Sequence, residues 1–548
     1  MKQRLSLILW LSLSVYASAQ TDEGWRFPLD GPRYLSGTFA ELRSNHFHAG
    51  LDIKTDGKVG APVYAADSGY VSRIAVSPYG YGLALYIDHP HRNRTTVYAH
   101  LDELIPELAY YVLEQQYRRN SFEVNLYLKP GRFPIARGQR IARSGNSGGS
   151  GGPHLHFEIR NRANQHPLNP LEEGIYIPDE VAPFLGQLSL MVGTEGGRRI
   201  PLPAAAKTSA QADSWNLGSV EVPSGVDLGL MLYAYDQQTG SLNKNGIYAL
   251  TLMVRDSLVF QWLASELSFD ETRFCNAVMD YEQNLHSGKK VYRMHRLPGN
   301  TLASLRGQEG WFRVAQGDTV PFVMLLSDYA RNTAMLTGEW IGGRGKETFE
   351  CPDSLNGWVK WGQSFRYDAE QVKVNIPSGS LYSSTCWEIR EEEGAFRVLS
   401  PEIPAHRRFT VSLRPNNALP NDGKVIMVCE GYKGSKRAEP CTFVQGWYEA
   451  DFRDFGTFYL TRDTVPPSLT LVRQSGRTLI FKAVDALLSI DTYAAFLNDT
   501  WTLLEYDAKS DRFILEVDDR YIGQRVEVRV EVGDEVKNRA KWVKMITF

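Results

Sequence analysis

Strict alternation of apolar and charged residues is the feature that most restricts what this chain can become. Val526-Glu-Val-Arg-Val-Glu-Val532 sets every valine on one side of an extended backbone and every charge on the other. That is the period-2 pattern of a strand with one buried face, and a 3.6-residue period does not sort these residues in this way. Strand-like segments broken by turns continue through the C-terminal two-thirds, so the expected fold class is mainly β.

A weak internal repeat sets boundaries within that β region. Asp179-Glu-Val-Ala-Pro183 resembles Asp463-Thr-Val-Pro-Pro467, each opening a strand-rich stretch. Asp328-Tyr-Ala-Arg-Asn332 resembles Asp534-Glu-Val-Lys-Asn538, each near the end of one. Proline marks a linker or first-strand entry, and Asp-x-x-x-Asn suits a turn held by side-chain hydrogen bonds. The expectation is two immunoglobulin-like β-sandwiches, 179–348 and 463–548, with a β-rich middle domain at 349–462. All three are read as spacers or accessory modules, with surfaces for a cell-wall or protein partner.

The length of 548 residues suits about three or four domains. Sixty Lys and Arg against 63 Asp and Glu give a net charge of −3, and with no long basic run this argues against nucleic acid as the main partner. Residues 1–19 run from Lys2 and Arg4 through an apolar stretch to Ala17-Ser18-Ala19, the order of a secretory signal peptide. Export to the periplasm, cell surface or medium is therefore expected, with the mature chain starting near Gln20. No later window offers about 18 consecutive apolar residues, so no transmembrane segment is expected. Four of the five cysteines (Cys351, Cys386, Cys429 and Cys441) fall in the middle domain, where an oxidising compartment permits one or two bridges.

Histidine is the most unevenly distributed residue. Eight of eleven lie between His46 and His166, and no cysteine precedes Cys275. The N-terminal third is therefore the place for metal or acid–base chemistry. Three runs stand out: His48-Ala-Gly-Leu-Asp52, Val97-Tyr-Ala-His100-Leu101, and Gly151-Gly-Pro-His154-Leu-His156-Phe-Glu-Ile-Arg160. In the third, strand alternation puts His154, His156 and Glu158 on one face and Leu155, Phe157 and Ile159 on the other. The same alternation sets Tyr98 and His100 opposite Val97 and Ala99. A hydrolytic zinc ion needs about three ligands drawn from His, Asp, Glu or Cys, plus an open position for water. Histidines beside it can move protons or steady an oxyanion.

Taken in this order, these runs resemble the lysostaphin/LytM-type zinc metallopeptidases, metallopeptidase family 23, over roughly residues 28–172. The resemblance implies a compact antiparallel β domain at 20–178 with a groove over one zinc ion. It implies His48, Asp52 and His156 as zinc ligands and His100 and His154 as catalytic histidines. It also implies a peptidoglycan peptide as substrate, cut by a zinc-dependent endopeptidase. The alternative from another class is a non-catalytic LytM-type module that binds cell wall or activates another hydrolase. His46 takes the place of His48 if the register slips. His89, His91 and His166 match no motif and are read as surface or structural. Glu158 is read as a supporting or solvent-facing carboxylate and is not assigned a catalytic role.

Gly145-Asn-Ser-Gly-Gly149 satisfies the G-x-S-x-G pattern, but it leads into a strand through Pro153 where a nucleophile elbow needs a helix. The glycine run lacks the lysine of a phosphate-binding loop, and no H-E-x-x-H occurs. The six glycines from Gly138 to Gly152 suit close backbone approach to an extended substrate. The main departure from the family is an insertion at about 102–136. There Leu104, Ile105, Leu108 and Val112 have helical spacing, followed by strand spacing at Phe122, Val124, Leu126 and Leu128. It is expected at the groove rim, where it selects substrate or restricts access, or else on the far side as ornament.

Overall fold

The computed structural model describes residues 24–194, 197–209, 213–344, 351 and 357–548. The expected leader and the start of the mature chain lie outside the described residues. The fold is mainly β, with many antiparallel sheets. Among the described residues no helix is long and apolar enough to cross a membrane.

The N-terminal domain is built from β1 (Leu35–Gly37), the hairpin β2 (Leu42–Arg43) and β3 (His46–Phe47), β4 (Leu51–Lys54), β5 (Pro62–Tyr64), β6 (Gly69–Val76), β7 (Leu83–His89) and β8 (Arg94–Leu104). Helix α1 (Pro106–Arg119) follows, then β9 (Val124–Tyr127), β10 (Pro134–Ile135), β11 (Arg140–Ser144), β12 (His154–Asn161) and β13 (Pro167–Leu168). The main sheet runs β1-β4-β12-β8-β7-β6-β10, with β9 on β6, β13 on β12, and β11 pairing both β5 and β8. Alternation along β12 is realised: Leu155, Phe157 and Ile159 are fully buried in one core with Leu51, Ile53 and Tyr98. Their removal from water, at roughly 1.5–3 kcal/mol per large side chain, fixes which face of β12 the histidines occupy.

The insertion forms the expected helix and strand. Pro106 starts α1, and Asn120 closes it in the left-handed conformation. Leu108 and Val112 join the domain core. Its strand β9 pairs with β6, at the end of the sheet away from β4.

Residues 184–342 form two sheets around one core. That core also takes in Phe39, Ala40, Leu42 and Phe47 of the N-terminal domain, with Phe47 stacked on Trp262 at 5.4 Å. The hairpin before His48 is thus anchored in the first sandwich, which the reading as a spacer did not anticipate. Phe47 and Trp262 are more than 200 residues apart in the chain.

Residues 365–462 form two five-stranded sheets. Cys351 and Cys386 are bridged, Cys429 is buried and free, and Cys441 is free. Two four-stranded sheets between Ser468 and Thr547 make the last sandwich, with Val526, Val528, Val530 and Val532 in its core. This sandwich returns to the N-terminal domain. Trp501 meets Tyr117 of α1 at 5.3 Å, Tyr506 meets Tyr79 at 6.3 Å, and Phe122 packs against its core.

Candidate metal centre

β4 and β12 pair so that Asp52 lies directly opposite His156 and Leu51 opposite Phe157. Opposed residues share a face, so the register that buries Leu51 and Phe157 brings Asp52 and His156 together. His48 arrives from the β3–β4 connection, where its N–H donates to the Glu41 carbonyl and its own carbonyl accepts from Ala40 N–H. Gly50 is required in that connection, because a Cβ there would stand 2.3 Å from the Phe157 carbonyl oxygen.

The three side chains present one atom each to a common point. His48 Nε2 lies 3.0 Å from both His156 Nδ1 and Asp52 Oδ1, and His156 Nδ1 lies 2.9 Å from Asp52 Oδ1. All three residues are buried. The outer atoms fix the tautomers. His48 Nδ1 is 2.7 Å from the Thr38 carbonyl, which only accepts, so it carries the proton and Nε2 is bare. His156 Nε2 is 2.8 Å from a Glu158 oxygen and donates to it, turning Nδ1 inward. Glu158 is fully buried, and its other oxygen accepts from Arg160 Nε at 2.5 Å. Asp52 Oδ2 is held by Arg43, which leaves Oδ1 for the cluster.

The electrostatics match a site built for positive charge. Burial raises the Asp52 carboxyl, but the imidazoles of His48, His154 and His156 that face it outweigh that and hold the pKa well below the usual range. Burial would raise Glu158 too, yet Arg160 and His156 bring it down to about 2. Burial lowers His48 to about 4. For His156 burial is outweighed by Asp52 and Glu158, which lift it to about 9. Without a metal the cluster therefore takes a proton on His156. A divalent cation meets the same demand with two neutral imidazoles and one carboxylate, donors that suit zinc.

His100 and His154 stand beside this triangle, their rings 4.8 Å apart, with His100 5.7 Å from His156. His100 reaches it by a route that simple alternation does not give. Tyr98 lies opposite Phe157 and faces the core, while Val97 and Ala99 share the His156 side. Regular pleating would send His100 into the core with Tyr98. Instead β8 bulges: Ala99 and His100 together oppose Ala84 of β7, and His100 adopts φ 57°. The bulge turns the imidazole to the metal side. Its Nδ1 donates to the Ser147 carbonyl at 2.9 Å, leaving Nε2 bare. Burial, reinforced by His156 and His154, lowers it to about 3. His154 Nδ1 lies 2.8 Å from the Gly152 carbonyl, and its Nε2 is buried without a hydrogen bond, 3.2 Å from Asp52 Oδ1.

The other histidines lie elsewhere. His46 is exposed and bonds the Ser44 carbonyl, outside the triangle. His89 is buried between Ser68 and Thr96, His91 pairs with Asp67, and His166 with Glu266. Two of the six glycines serve packing within the chain: a Cβ on Gly145 would strike β8 at Asp102, and one on Gly148 would strike Gly82. Cβ positions on Gly151 and Gly152 meet nothing. Arg43, Tyr81 and Arg160 had no assigned role from sequence. Arg160 follows Glu158 at the next position on the same strand face, so the alternation carried its signal. Tyr81, whose ring lies 5.2 Å from His156 and whose carbonyl accepts the His100 N–H, carried none.

A His–Asp–His cluster on two neighbouring antiparallel strands and the connection beside them, flanked by two further histidines, sets the class of this domain. A family model described as peptidase family M23 matches residues 46–112 and 122–170. The chain carries a peptidase M23 domain over these residues. The gap between the two matched stretches falls in the insertion. A second model, described as a Zu5-like domain, matches residues 356–463.

Over 146 residues the chain is 35% identical to the peptidoglycan DD-endopeptidase ShyB of Vibrio cholerae, covering 25% of this chain and 28% of that protein. Over 152 residues it is 30% identical to an uncharacterized metalloprotease of Haemophilus influenzae, covering 27% of this chain and 26% of that one. It thus spans under a third of the length of either relative. A crystal structure of a zinc-containing peptidase from Vibrio cholerae is 29% identical, with a TM-score of 0.20, over 28% of this chain and 40% of that one.

Proposed function

We propose that this protein is an exported zinc endopeptidase that hydrolyses peptide bonds in the stems or cross-links of peptidoglycan. The observation that carries the reading is the convergence of three metal-ligating atoms (His48 Nε2, Asp52 Oδ1 and His156 Nδ1) with outer hydrogen bonds that turn the two imidazoles inward. The similarity to a peptidoglycan DD-endopeptidase supports the substrate class, and the leader-like first nineteen residues support export.

Zinc held by His48, Asp52 and His156 would supply a Lewis acid and make a water easier to deprotonate. The chain does the rest. His100 is held neutral by burial, with Nδ1 tied to Ser147 and Nε2 bare, so it is poised to take a proton from an attacking water. His154, with Nδ1 on Gly152, turns Nε2 to the same side; protonated there it would steady the oxyanion, while the proton that His100 takes from the water passes on to the leaving amine. Arg43 keeps Asp52 turned to the cluster, and Arg160 through Glu158 does the same for His156. The open space at Gly151 and Gly152 admits an extended peptide beside His154.

The test incubates the mature chain with cross-linked peptidoglycan, with and without a zinc chelator, and reads released fragments by mass spectrometry. Chelator-sensitive loss of cross-linked fragments is expected. His156→Ala should lose zinc and activity together, whereas His154→Ala should keep zinc and lose activity. Turnover retained in either variant would overturn its assigned role. No release by zinc-loaded protein would favour the wall-binding or activator module.

A further inference from the structure

The internal repeat that marks the two outer sandwiches builds a three-aspartate cluster in each. Asp179, Asp236 and Asp328 each bring a carboxylate oxygen within 4.8 Å of the others in the first sandwich. Asp463, Asp485 and Asp534 do the same in the last. The Asp-x-x-x-Asn turns supply one member of each: Asn332 donates to both oxygens of Asp328, and Asn538 to both of Asp534.

The clusters differ in what neutralises them. In the last sandwich the Lys424 ammonium is inserted, donating to the Val536 carbonyl and to Asn538 Oδ1 at 2.7 Å each, and its charge acts on Asp463. In the first, no ion pair with Lys or Arg reaches the three carboxylates among the described residues. Asp236 and Asp328 are only 6% and 4% exposed. Burial, with Asp328 and Asp179 beside it, pushes the Asp236 carboxyl up to about 8.

Two oxygens there lack partners. Asp236 Oδ1 is buried with no hydrogen bond, and so is the side-chain oxygen of Asn245, a residue 3% exposed. Asn245 stands directly across an antiparallel bridge from Asp236, their backbones exchanging bonds of 2.8 and 2.9 Å, so the two side chains share a face. Buried polar atoms are nearly always paired, and two orphaned oxygens beside three crowded carboxylates mark a place for an oxygen-loving cation.

We propose that Asp179, Asp236, Asp328 and Asn245 bind a calcium ion. Four oxygen donors and no nitrogen or sulfur suit a hard divalent ion and set this site apart from the His–Asp–His cluster. The loop from Asp236 to Gly246 also grips the N-terminal domain. Gln238 donates to the Arg33 carbonyl at 2.6 Å and accepts from Leu35 N–H of β1 at 3.0 Å. Ser241 accepts from Lys54 of β4, and Gly246 N–H donates to Thr38. The ion ties this loop to Asp179 at the domain junction and braces the strand pair that carries Asp52.

The test is equilibrium dialysis of the zinc-loaded full chain against radioactive calcium, with thermal unfolding alongside. One calcium per chain is expected, with Kd in the roughly 0.1–1 mM range of extracellular modules. Asp236→Asn should abolish binding, Asn245→Ala should weaken it at least about tenfold, and Asp534→Asn in the last sandwich should leave it unchanged. Asp236→Asn relieves repulsion among the carboxylates, so it should unfold at a higher temperature than the calcium-free parent and gain nothing from calcium. No calcium retained by the parent, or calcium retained undiminished in Asp236→Asn, would overturn the assignment.

Discussion

Phe39, Leu42 and Phe47 lie within residues that the sequence groups with the N-terminal domain, yet they are buried in the core of the first sandwich. The last sandwich meets the same domain through Tyr117 on Trp501, Tyr79 on Tyr506 and a single side chain shared between cores, Phe122. The first contact is a continuous hydrophobic core, worth roughly 1.5–3 kcal/mol for each large side chain. The second is a set of aromatic edges worth about 0.5–1.5 kcal/mol each, with side-chain hydrogen bonds from Tyr493 to Glu123 and from Lys509 to Asn146. The first also runs directly into the metal centre, since Phe47 precedes His48 and Cys275 Sγ contacts the Arg43 carbonyl. Proximity in space is shared by both sandwiches, but only one is a structural part of the site.

The largest expected effect is at Phe47. Phe47→Ala removes a side chain that is 2% exposed and should lower unfolding free energy by about 3–5 kcal/mol and loosen metal binding with it. Trp501→Ala should lower it by only about 1 kcal/mol and leave metal content intact. Denaturant unfolding and metal analysis of the two variants sharpen the contrast, and equal losses would break it.

Glu158→Gln acts inside the centre without touching either sandwich core. Losing the carboxylate that orients His156 should weaken metal affinity by roughly 10–100-fold, measured by chelator competition. The same variant carries a pH signature. Glu158 sits at about 2, down from its ordinary 4.5, so it contributes stability that is complete above pH 4.5 and lost as pH falls toward 2. The parent should lose that increment on acidification, and Glu158→Gln should not.

The smallest effect is at Lys509, which reaches from the last sandwich to the Asn146 carbonyl, one residue before the Ser147 that holds His100. Lys509→Ala should change stability by no more than about 0.5 kcal/mol, and a comparison of peptide-hydrolysis rates should show no loss beyond about twofold, because His100 is anchored by Ser147 and Tyr81 within its own domain.

Sequence periodicity carried much of this and stopped at definite points. The face of β12 that holds His154, His156, Glu158 and Arg160 was legible because a strand's period of two is local. So were the helix and strand of the insertion. The path of His100 was not legible, because a bulge is set by how neighbouring strands pair, and alternation alone assigns the wrong partner face. The anchoring of Phe47 was hidden for a related reason. Its apolar neighbours could be read, but the core they enter is built mostly from residues beyond Leu185. The insertion's position away from β4 depends on sheet order, which no local pattern encodes. Cysteine count and compartment permitted one or two bridges, and only the fold selects Cys351 with Cys386.

The most direct measurement is zinc content and peptidoglycan hydrolysis of two shortened chains beside the full one. A chain ending at Arg462 lacks the last sandwich, and a chain ending at Pro178 lacks the first as well. One zinc per chain and retained hydrolysis are expected for the chain ending at Arg462, with both lost in the chain ending at Pro178. Zinc and activity retained by residues 20–178 alone would contradict this.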